Sequence, residues 1–208
     1  MTNVLWVRHG ESQAEITGCF SCRRVDPSLT GDGILQSRQV AAQLQGRPLH
    51  ALYSSPLKRA LETADFVSKK TSLPIIPLES FREINVGELE EHAPGPAETA
   101  LYAKVLESWL ADDRACRFPG GEDLYMLLGR LGEGLAHIFT RHPEGQVVIV
   151  GHAMQLVAAM RSICPAEDPH QLFHAPMGYC TISEIALDRQ DGRIRGRLLS
   201  WGGGKAGG

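Results

Sequence analysis

Two short apolar runs, each ending at a histidine, constrain this chain more than any other feature of its sequence. Residues 4–7 form the first run and are followed by Arg8-His9-Gly10, and residues 147–150 form the second and are followed by Gly151-His152. Unbroken apolar runs of this length are typical of strands that are buried on both faces of a parallel sheet. In open sheets of this kind, ligands bind at the carboxyl ends of the strands. We therefore expect both histidines at one functional edge.

The rest of the chain alternates between helical and strand patterns. Thr30 predicts the cap of a helix over 31–45 that ends at Gly46, and Ser55-Pro56 predicts the opening of another helix. The other predicted elements are strands at 52–53, 74–78, 180–188 and 193–200, with a turn at 190–192, and helices over 97–112, over 122–141 and after His152. We predict an α/β fold, a three-layer α/β/α sandwich with a mostly parallel central sheet.

The length and composition predict one domain. A chain of 208 residues, 43% hydrophobic and 22% charged, can bury one substantial core, which we assign to residues 1–201. The segment 91–121 contains Pro and Gly and has its own helix, so we predict that it is a lid or specificity wall over the site. Residues 202–208 are rich in glycine and have few side chains that could pack, so we predict a flexible tail.

The charge and the cysteines limit the class of partner and the location. A net charge of −3 gives no basic surface for nucleic acid or for an anionic membrane, so a small ligand is the expected partner. The chain shows no export signal and no apolar stretch of about 18 residues, which predicts a cytoplasmic protein. Its five cysteines are an odd number and are scattered, which favours reduced thiols. Association into a homodimer is left open.

Five residues supply the groups that phosphoryl transfer without a metal requires. Transfer needs a nucleophile, fixed positive charge around the phosphoryl oxygens and an acid for the leaving group. His9 is the candidate nucleophile, because a neutral imidazole with one free nitrogen attacks phosphorus. Arg8, Arg59 and His152 are candidate donors to the phosphate. Glu83 is the candidate acid, since a phosphate dianion raises the pKa of a nearby carboxyl group by repulsion.

These residues belong to six sequence blocks that together resemble the histidine phosphatase superfamily, also called phosphoglycerate mutase-like. The blocks stand in the family's order and at compatible spacing over most of the chain. They are Val7-Arg8-His9-Gly10-Glu11-Ser12; residues 26–30 with Gly33 and Gln36; residues 54–60 with Thr63-Ala64; Glu83 with Gly87 and Glu90; Phe118-Pro119-Gly120-Gly121-Glu122; and Val150-Gly151-His152.

The resemblance implies roles for single residues. It implies that His9 is phosphorylated, that Arg8, Arg59 and His152 bind phosphate and that Glu83 donates the proton, with no cofactor and no metal. We take the substrate to be a small phosphorylated metabolite. Two further candidate substrate-binding residues are Ser12, in the first block, and Arg24, in the loop after the first strand. A solvated Arg23-Arg24 pair is the alternative for that loop.

Departures from the family pattern bear on which reaction is catalysed. Glu15 stands where the family often has asparagine, and its charge would repel phosphate unless it points away or meets a cationic or hydroxylated part of the substrate. Arg23 and Arg24 replace a Gly-Trp pair of phosphoglycerate mutases, and the insert after Glu83 is short and has few basic residues. We therefore favour a phosphatase over a mutase. A non-catalytic module that binds a phosphorylated ligand is the third hypothesis.

Each motif also has a plain structural explanation. Glu83 alone could be half of a surface ion pair with Arg82, and Arg59 alone could be a solvated helix residue. Cys19 and Cys22 have the spacing of half a zinc site, but no second pair of that kind exists in the sequence, which favours chance spacing. The assignment therefore depends on the whole set of residues rather than on one motif.

Overall fold

The computed structural model describes residues 1–90, 93–175, 177–190 and 193–205, and their strands form one mixed sheet. The strands are β1 (Thr2–Arg8), β2 (Ala51–Ser54), β3 (Ile75–Pro77), β4 (Gln146–Gly151), β5 (Ile182–Gln190), β6 (Arg193–Trp201) and β7 (Gly204–Lys205). Their order in the sheet is β3-β2-β4-β1-β5-β6-β7. The first four are parallel, and β5, β6 and β7 add to the β1 edge by antiparallel pairing.

Helices cover both faces of the sheet. They are α1 (Gln13–Thr17), α2 (Gly31–Leu44), α3 (Lys58–Thr71), α4 (Pro96–Leu110), α5 (Leu124–Arg141), α6 (Ala153–Ile163) and α7 (Pro169–His174). Buried residues of α2 and α3 form one core with one face of the sheet, and those of α4, α5, α6 and α7 form a second core with the other. This arrangement confirms the predicted three-layer α/β/α sandwich.

The two cores explain why the first apolar run does not alternate. Val4 and Trp6 of β1 face the core that contains α5 and α6, while Leu5 and Val7 face the core that contains α2 and α3. Successive side chains of a strand point to opposite faces, so a strand between two cores needs apolar residues at every position. All four side chains are completely buried.

The helix boundaries agree with the sequence in one case and differ in another. The Thr30 side chain accepts a hydrogen bond from the backbone N–H of Gly33, which confirms it as the cap of α2. The prediction that Ser55-Pro56 opens a helix is wrong, because α3 begins at Lys58. The Ser55 N–H donates to the carbonyl of Val150 at 2.8 Å, which extends the pairing of β2 with β4 past the end of the strand.

The glycine-rich tail is ordered at its start. Gly204 and Lys205 pair with Trp201 and Ser200, so the prediction of a flexible tail is wrong for residues 202–205. Gly202 and Gly203 have φ values of 56° and 89°, which glycine adopts without strain and which permit the tight turn. Residues 206–208, and residues 191–192 of the predicted turn, lie outside the described part of the chain.

The segment 91–121 contributes one long helix. Helix α4 buries Val105, Leu106, Trp109 and Leu110, so its inner side belongs to the core. Residues 91–92 lie outside the described residues, and a lid role for the segment stays a prediction.

None of the described helices combines the length and the apolar character needed to cross a bilayer. The five cysteines are all free thiols, as the sequence predicts.

Candidate active site

The pairing of β1 with β4 brings the two histidines together. In this parallel ladder Arg8 stands opposite Gly151, and the His9 N–H donates to the carbonyl of Gly151 at 3.0 Å. His9 and His152 therefore leave two adjacent strands at the same level. Their ring centroids are 5.0 Å apart. This confirms the expectation that both strand ends deliver an imidazole to one edge.

The hydrogen bonds of His9 define its tautomer. Its Nδ1 lies 2.7 Å from the carbonyl oxygen of Gly10, which can only accept, so Nδ1 carries the proton. Nε2 then has a free lone pair, and Arg59 Nε donates to it at 3.1 Å. Burial, together with the charges of Arg59 and Arg8, holds the pKa of His9 well below its usual value. His9 is therefore a neutral imidazole with an available nucleophilic nitrogen.

Arg59 is the residue that connects the site. It lies in the first turn of α3, is only 3% exposed, and its guanidinium makes four hydrogen bonds. Besides His9, Nη1 donates to the Ser21 hydroxyl at 3.0 Å, and Nη2 donates to the Ser21 carbonyl at 2.9 Å and to His152 Nδ1 at 3.2 Å. Burial lowers the pKa of Arg59, and the nearby carboxylates of Glu83 and Glu15 partly offset this effect.

His152 is held in the opposite tautomer. Because Arg59 can only donate, His152 Nδ1 accepts, and Nε2 carries the proton and donates to the Ser55 hydroxyl at 2.8 Å. The ring is completely buried, and burial with the charge of Arg59 keeps its pKa well below the usual value. Nδ1 is also 3.7 Å from Glu83 Oε2, which places the predicted acid beside this histidine.

Arg8 has a fixed orientation. Its Nη1 donates to the carbonyl of Met177 at 2.7 Å, and its guanidinium carbon lies 3.9 Å from the centre of the Tyr179 ring. A guanidinium over an aromatic face gains cation–π attraction. Arg8 lines the same cavity as His9 and Arg59, so the predicted cations are brought together. The contribution of Tyr179 was not predicted from the sequence.

Glu83 lies at the cavity wall with one oxygen bound to the backbone. Its Oε1 accepts from the N–H of Ile84 at 2.8 Å. Burial raises the pKa of Glu83, and the Ile84 N–H and the charge of Arg59 oppose this only in part. The sequence predicts a raised pKa for Glu83 because bound phosphate would repel its carboxylate. In the structure, burial already raises it before any anion binds.

A partly buried ion pair holds the segment that carries Glu83. Arg130 meets Glu122 through two hydrogen bonds, of 2.7 and 3.0 Å. The remaining N–H groups of Arg130 donate to the backbone carbonyls of Ser80, Arg82 and Glu83, in the segment that carries the acid. We call Arg130 and Glu122 the clamp. Glu122 belongs to one of the six sequence blocks, whereas Arg130 lies outside them.

A second acidic residue fixes the loop that carries Ser21. One oxygen of Glu90 accepts from four consecutive backbone N–H groups, at 2.6 to 3.2 Å, which belong to Cys22, Arg23, Arg24 and Val25. Burial acts to raise the pKa of Glu90, but these donors outweigh it and the pKa is lowered. Because Ser21 binds Arg59, Glu90 indirectly supports the cation at the nucleophile.

Glu15 lies at the mouth of the phosphate site. Its Oε1 is 3.9 Å from His9 Nε2, and its Oε2 accepts from both the N–H and the hydroxyl of Ser12. The prediction that Ser12 binds substrate is therefore wrong, because its side chain is completely buried and faces Glu15. The side chain of Arg24 is exposed and lies outside the wall of the cavity, so the structure does not support Arg24 as a substrate contact either.

The site residues surround one cavity of about 260 Å³. Arg8, His9, Arg59 and Glu83 form its floor, and His152 is buried directly behind them, against Arg59. Across the described residues, no three His, Cys, Asp or Glu side chains are grouped so that they could share a metal ion. The cavity can therefore supply a nucleophile, two guanidiniums and a carboxyl group to one anion. The N–H of His152 is bound to Ser55, so the predicted contact of His152 with phosphate is made only through Arg59.

Comparisons with known proteins find phosphatases among the relatives of this chain. Over 196 residues the chain is 29% identical to a Bacillus subtilis protein named uncharacterized phosphatase PhoE, which covers 94% of this chain and 93% of that protein. It is also 29% identical to phosphoserine phosphatase 1 of Hydrogenobacter thermophilus over 162 residues, covering 76% and 74% of the two chains.

Solved structures share the fold. The structure of the mycobacterial glucosyl-3-phosphoglycerate phosphatase with VO3 superimposes with a TM-score of 0.79 at 21% identity, over 96% of this chain and 98% of that one. The sequence profile of the histidine phosphatase superfamily (branch 1) matches residues 4–198. The chain therefore belongs to the histidine phosphatase superfamily.

Proposed function

We propose that this chain hydrolyses small phosphate monoesters through a covalent phosphohistidine on His9, with Glu83 as the proton donor and without a metal ion. The observation that carries the proposal is the unprotonated Nε2 of a neutral, buried His9, which accepts a hydrogen bond from the Arg59 guanidinium. A nitrogen in this state can attack phosphorus, and the surrounding cations can take the place of the charge that a metal would supply.

In the first step the phosphoryl group displaces Arg59 from the His9 lone pair and is held by Arg8 and Arg59, while His152 positions the Arg59 guanidinium from behind. His9 Nε2 forms a bond to phosphorus while the ester P–O bond breaks. Glu83 gives its proton to the departing oxygen, so the alcohol leaves neutral. The carbonyl of Gly10 accepts a hydrogen bond from Nδ1–H and stabilises the positive charge that develops on the ring.

In the second step water replaces the alcohol. The Glu83 carboxylate takes a proton from the water, whose oxygen bonds to phosphorus as the N–P bond breaks. Inorganic phosphate leaves, His9 returns to its neutral form and Glu83 is again protonated. The substrate is a small phosphorylated metabolite, and neither nucleic acid nor membrane is required.

The segment 91–121 supplies part of the specificity wall in this proposal. Tyr102 of α4 lines the cavity and lies against Phe20, with ring centroids 4.6 Å apart. The organic part of the substrate would contact this aromatic pair while the phosphoryl group is at His9. The wall therefore restricts the shape of the substrate.

The decisive experiment measures turnover and the covalent intermediate together. We expect phosphate release from 4-nitrophenyl phosphate in excess chelator, inhibition by vanadate, and loss of nearly all turnover in His9→Ala. A reaction with labelled substrate, quenched in alkaline denaturant, should give a phosphorylated protein whose label is stable to alkali, labile to acid and missing in His9→Ala. His170→Ala, which changes an exposed histidine, is the matched control. Full activity in His9→Ala would end the proposal.

A mutase would behave differently in the same assay. It would exchange phosphoglycerate isomers faster than it releases phosphate, and it would depend on a bisphosphorylated primer. We expect phosphate release to be the faster reaction, because the cavity lacks, among its described wall residues, basic groups beyond Arg8 and Arg59 for a second anion.

A further inference from the structure

The basic groups of the cavity are already committed to the reacting centre. Among the described residues of the wall, Arg8 and Arg59 are the only arginines, and no lysine joins them. Arg59 is fixed to His9, Ser21 and His152, and Arg8 is fixed to Met177 and Tyr179. In the proposed function both arginines bind the phosphoryl oxygens. A second negative charge on the substrate would therefore have no counter-ion in this wall.

The wall beyond the phosphate site is largely apolar. It includes Phe20, Ile84, Val86, Tyr102 and Met154. Phe20 and Tyr102 lie against each other with an angle of 31° between their rings, and Tyr102 also stacks on Phe118 of the core. Burial and the charge of Glu83 raise the pKa of Tyr102, so its hydroxyl stays neutral at working pH. This part of the wall favours contact with an apolar or aromatic group.

The remaining charges at the mouth of the cavity are negative. Glu15 Oε1 is 3.9 Å from the nucleophilic nitrogen, and the N–H and hydroxyl of Ser12 hold the other oxygen. These two bonds fix the direction of the carboxylate, so it cannot simply turn away from a bound substrate. Glu83 adds a second carboxyl group to the same wall. An anionic group on the organic part of a substrate would meet the Glu15 carboxylate and, among the described residues of the wall, no cation beyond the two arginines of the phosphate site.

We infer, on the basis of the proposed function, that the substrates are monophosphate esters of apolar, aromatic-bodied alcohols that carry no second negative charge. Repulsion between like charges a few ångströms apart in a partly buried site costs enough to exclude such a group. Phosphate esters that also carry a carboxylate or a second phosphate should therefore be poor substrates. Glu15 is the specificity-determining residue, because its carboxylate lines the same cavity and lies 3.9 Å from His9 Nε2.

The test compares two esters that differ in one charge. They are 4-carbamoylbenzyl phosphate, whose amide is neutral, and 4-carboxybenzyl phosphate, whose carboxylate is isosteric with it. We expect kcat/KM for the neutral ester to exceed that for the anionic one by about tenfold or more at low salt. In Glu15→Gln the ratio should fall several-fold towards one, since the amide oxygen can still accept from Ser12. Glu107→Gln, which removes an exposed carboxylate from α4, should leave the ratio unchanged.

The outcomes separate this inference from the proposed function. If the protein releases phosphate from both esters equally, or prefers the anionic ester, the inference is wrong while the proposed function stands. If it releases phosphate from neither, the proposed function fails, and the preference is then measured from the dissociation constants of the two esters. Tighter binding of the neutral ester would still support the inference, whereas equal binding, tighter binding of the anionic ester or binding of neither would overturn it.

Discussion

Arg59 Nε donates directly to His9 Nε2 across 3.1 Å, so a fixed cation occupies the position from which the nucleophile would attack. This contact keeps the imidazole neutral, since a protonated Nε2 would repel the guanidinium. It also means that a phosphoryl oxygen must take over the guanidinium donor before His9 can react. Binding of the phosphoryl group therefore frees His9 Nε2 to attack that group.

This relationship predicts a large loss of activity in Arg59→Lys. An ammonium group cannot reproduce the planar fork that reaches Ser21, His9 and His152 together. We expect kcat/KM for 4-nitrophenyl phosphate to fall by about 100-fold or more, as for removal of an oxyanion donor. Lys58→Ala, which changes the exposed neighbour, should stay within about twofold of the unaltered chain. Near-normal activity of Arg59→Lys would contradict the assigned role.

The raised pKa of Glu83 predicts how activity depends on pH. The acid must be protonated for the first step, so activity with a poor leaving group should decline as pH rises through the raised pKa of Glu83. The His9 pKa is lowered by burial, so His9 stays neutral in mild acid and does not limit activity there. We expect Glu83→Gln to reduce kcat/KM, which reports phosphorylation of His9, by about 100-fold or more for an alkyl phosphate and by much less for an aryl phosphate.

The measurement is the pH profile of kcat/KM for both esters in both proteins. In Glu83→Gln the decline on the alkaline side should disappear. A profile that keeps the same alkaline limb in the variant would assign the proton to a different group, with Glu15 as the nearest alternative carboxylate to His9.

We predict that breaking the clamp lowers the stability of the fold and also changes catalysis. In Arg130→Met the Glu122 carboxylate stays buried without its partner, and the carbonyls of Ser80 and Arg82 lose their donor. We expect the free energy of unfolding to fall by about 3 kcal/mol. We also expect the alkaline limb of the pH profile to shift, because Glu83 moves with its segment.

The control for the clamp is an exposed ion pair. Arg114 binds Asp112 at 2.8 Å with both side chains in contact with solvent. Arg114→Met should therefore change the free energy of unfolding by less than about 1 kcal/mol and leave the pH profile unaltered. Equal effects of the two substitutions in urea unfolding would show that the clamp has no special role.

Glu90 predicts a dependence of stability on pH. Its folded-state pKa is lowered by the four N–H donors, so its stabilising effect is fully present above the unfolded-state pKa and is lost as pH falls through the folded-state pKa. Glu90→Gln should lower the free energy of unfolding by about 1 to 3 kcal/mol at neutral pH, and the difference should shrink in acid. Glu88→Gln, at an exposed position in the same turn, is the control. A difference that does not change with pH would exclude this mechanism.

The strand ends could be predicted because they depend on local pattern and simple geometry. Apolar runs buried on both sides imply a parallel sheet, and parallel strands bring their carboxyl ends to one edge, so His9 and His152 follow directly. Arg59 could be placed near the start of a helix for a similar reason. The side chains around Arg59 could not be predicted from the sequence. Ser21, Tyr179 and Arg130 reach the site from loops and helices whose positions depend on the packing of the complete chain.

The environment of the Ser12 side chain could have been predicted from a local sequence pattern. Ser12 and Glu15 have the Ser-x-x-Glu spacing of a capping box, and they stand at the start of the short helix α1. This pattern predicts that the two side chains bind each other rather than a ligand. Helix α1 has only five residues and little apolar periodicity, so the block containing His9 drew attention to catalysis instead.

The backbone ladder between β1 and β4 has one more consequence. The alignment of Arg8 with Gly151 sets the spacing of the two histidine backbones through peptide groups, and Arg59 then holds the two rings. Substitutions in the two cores can alter how firmly the protein holds together without altering how far apart its reactive rings stand. Residues of the cavity wall can therefore change, and the choice of substrate with them, while the spacing of the two histidines stays the same.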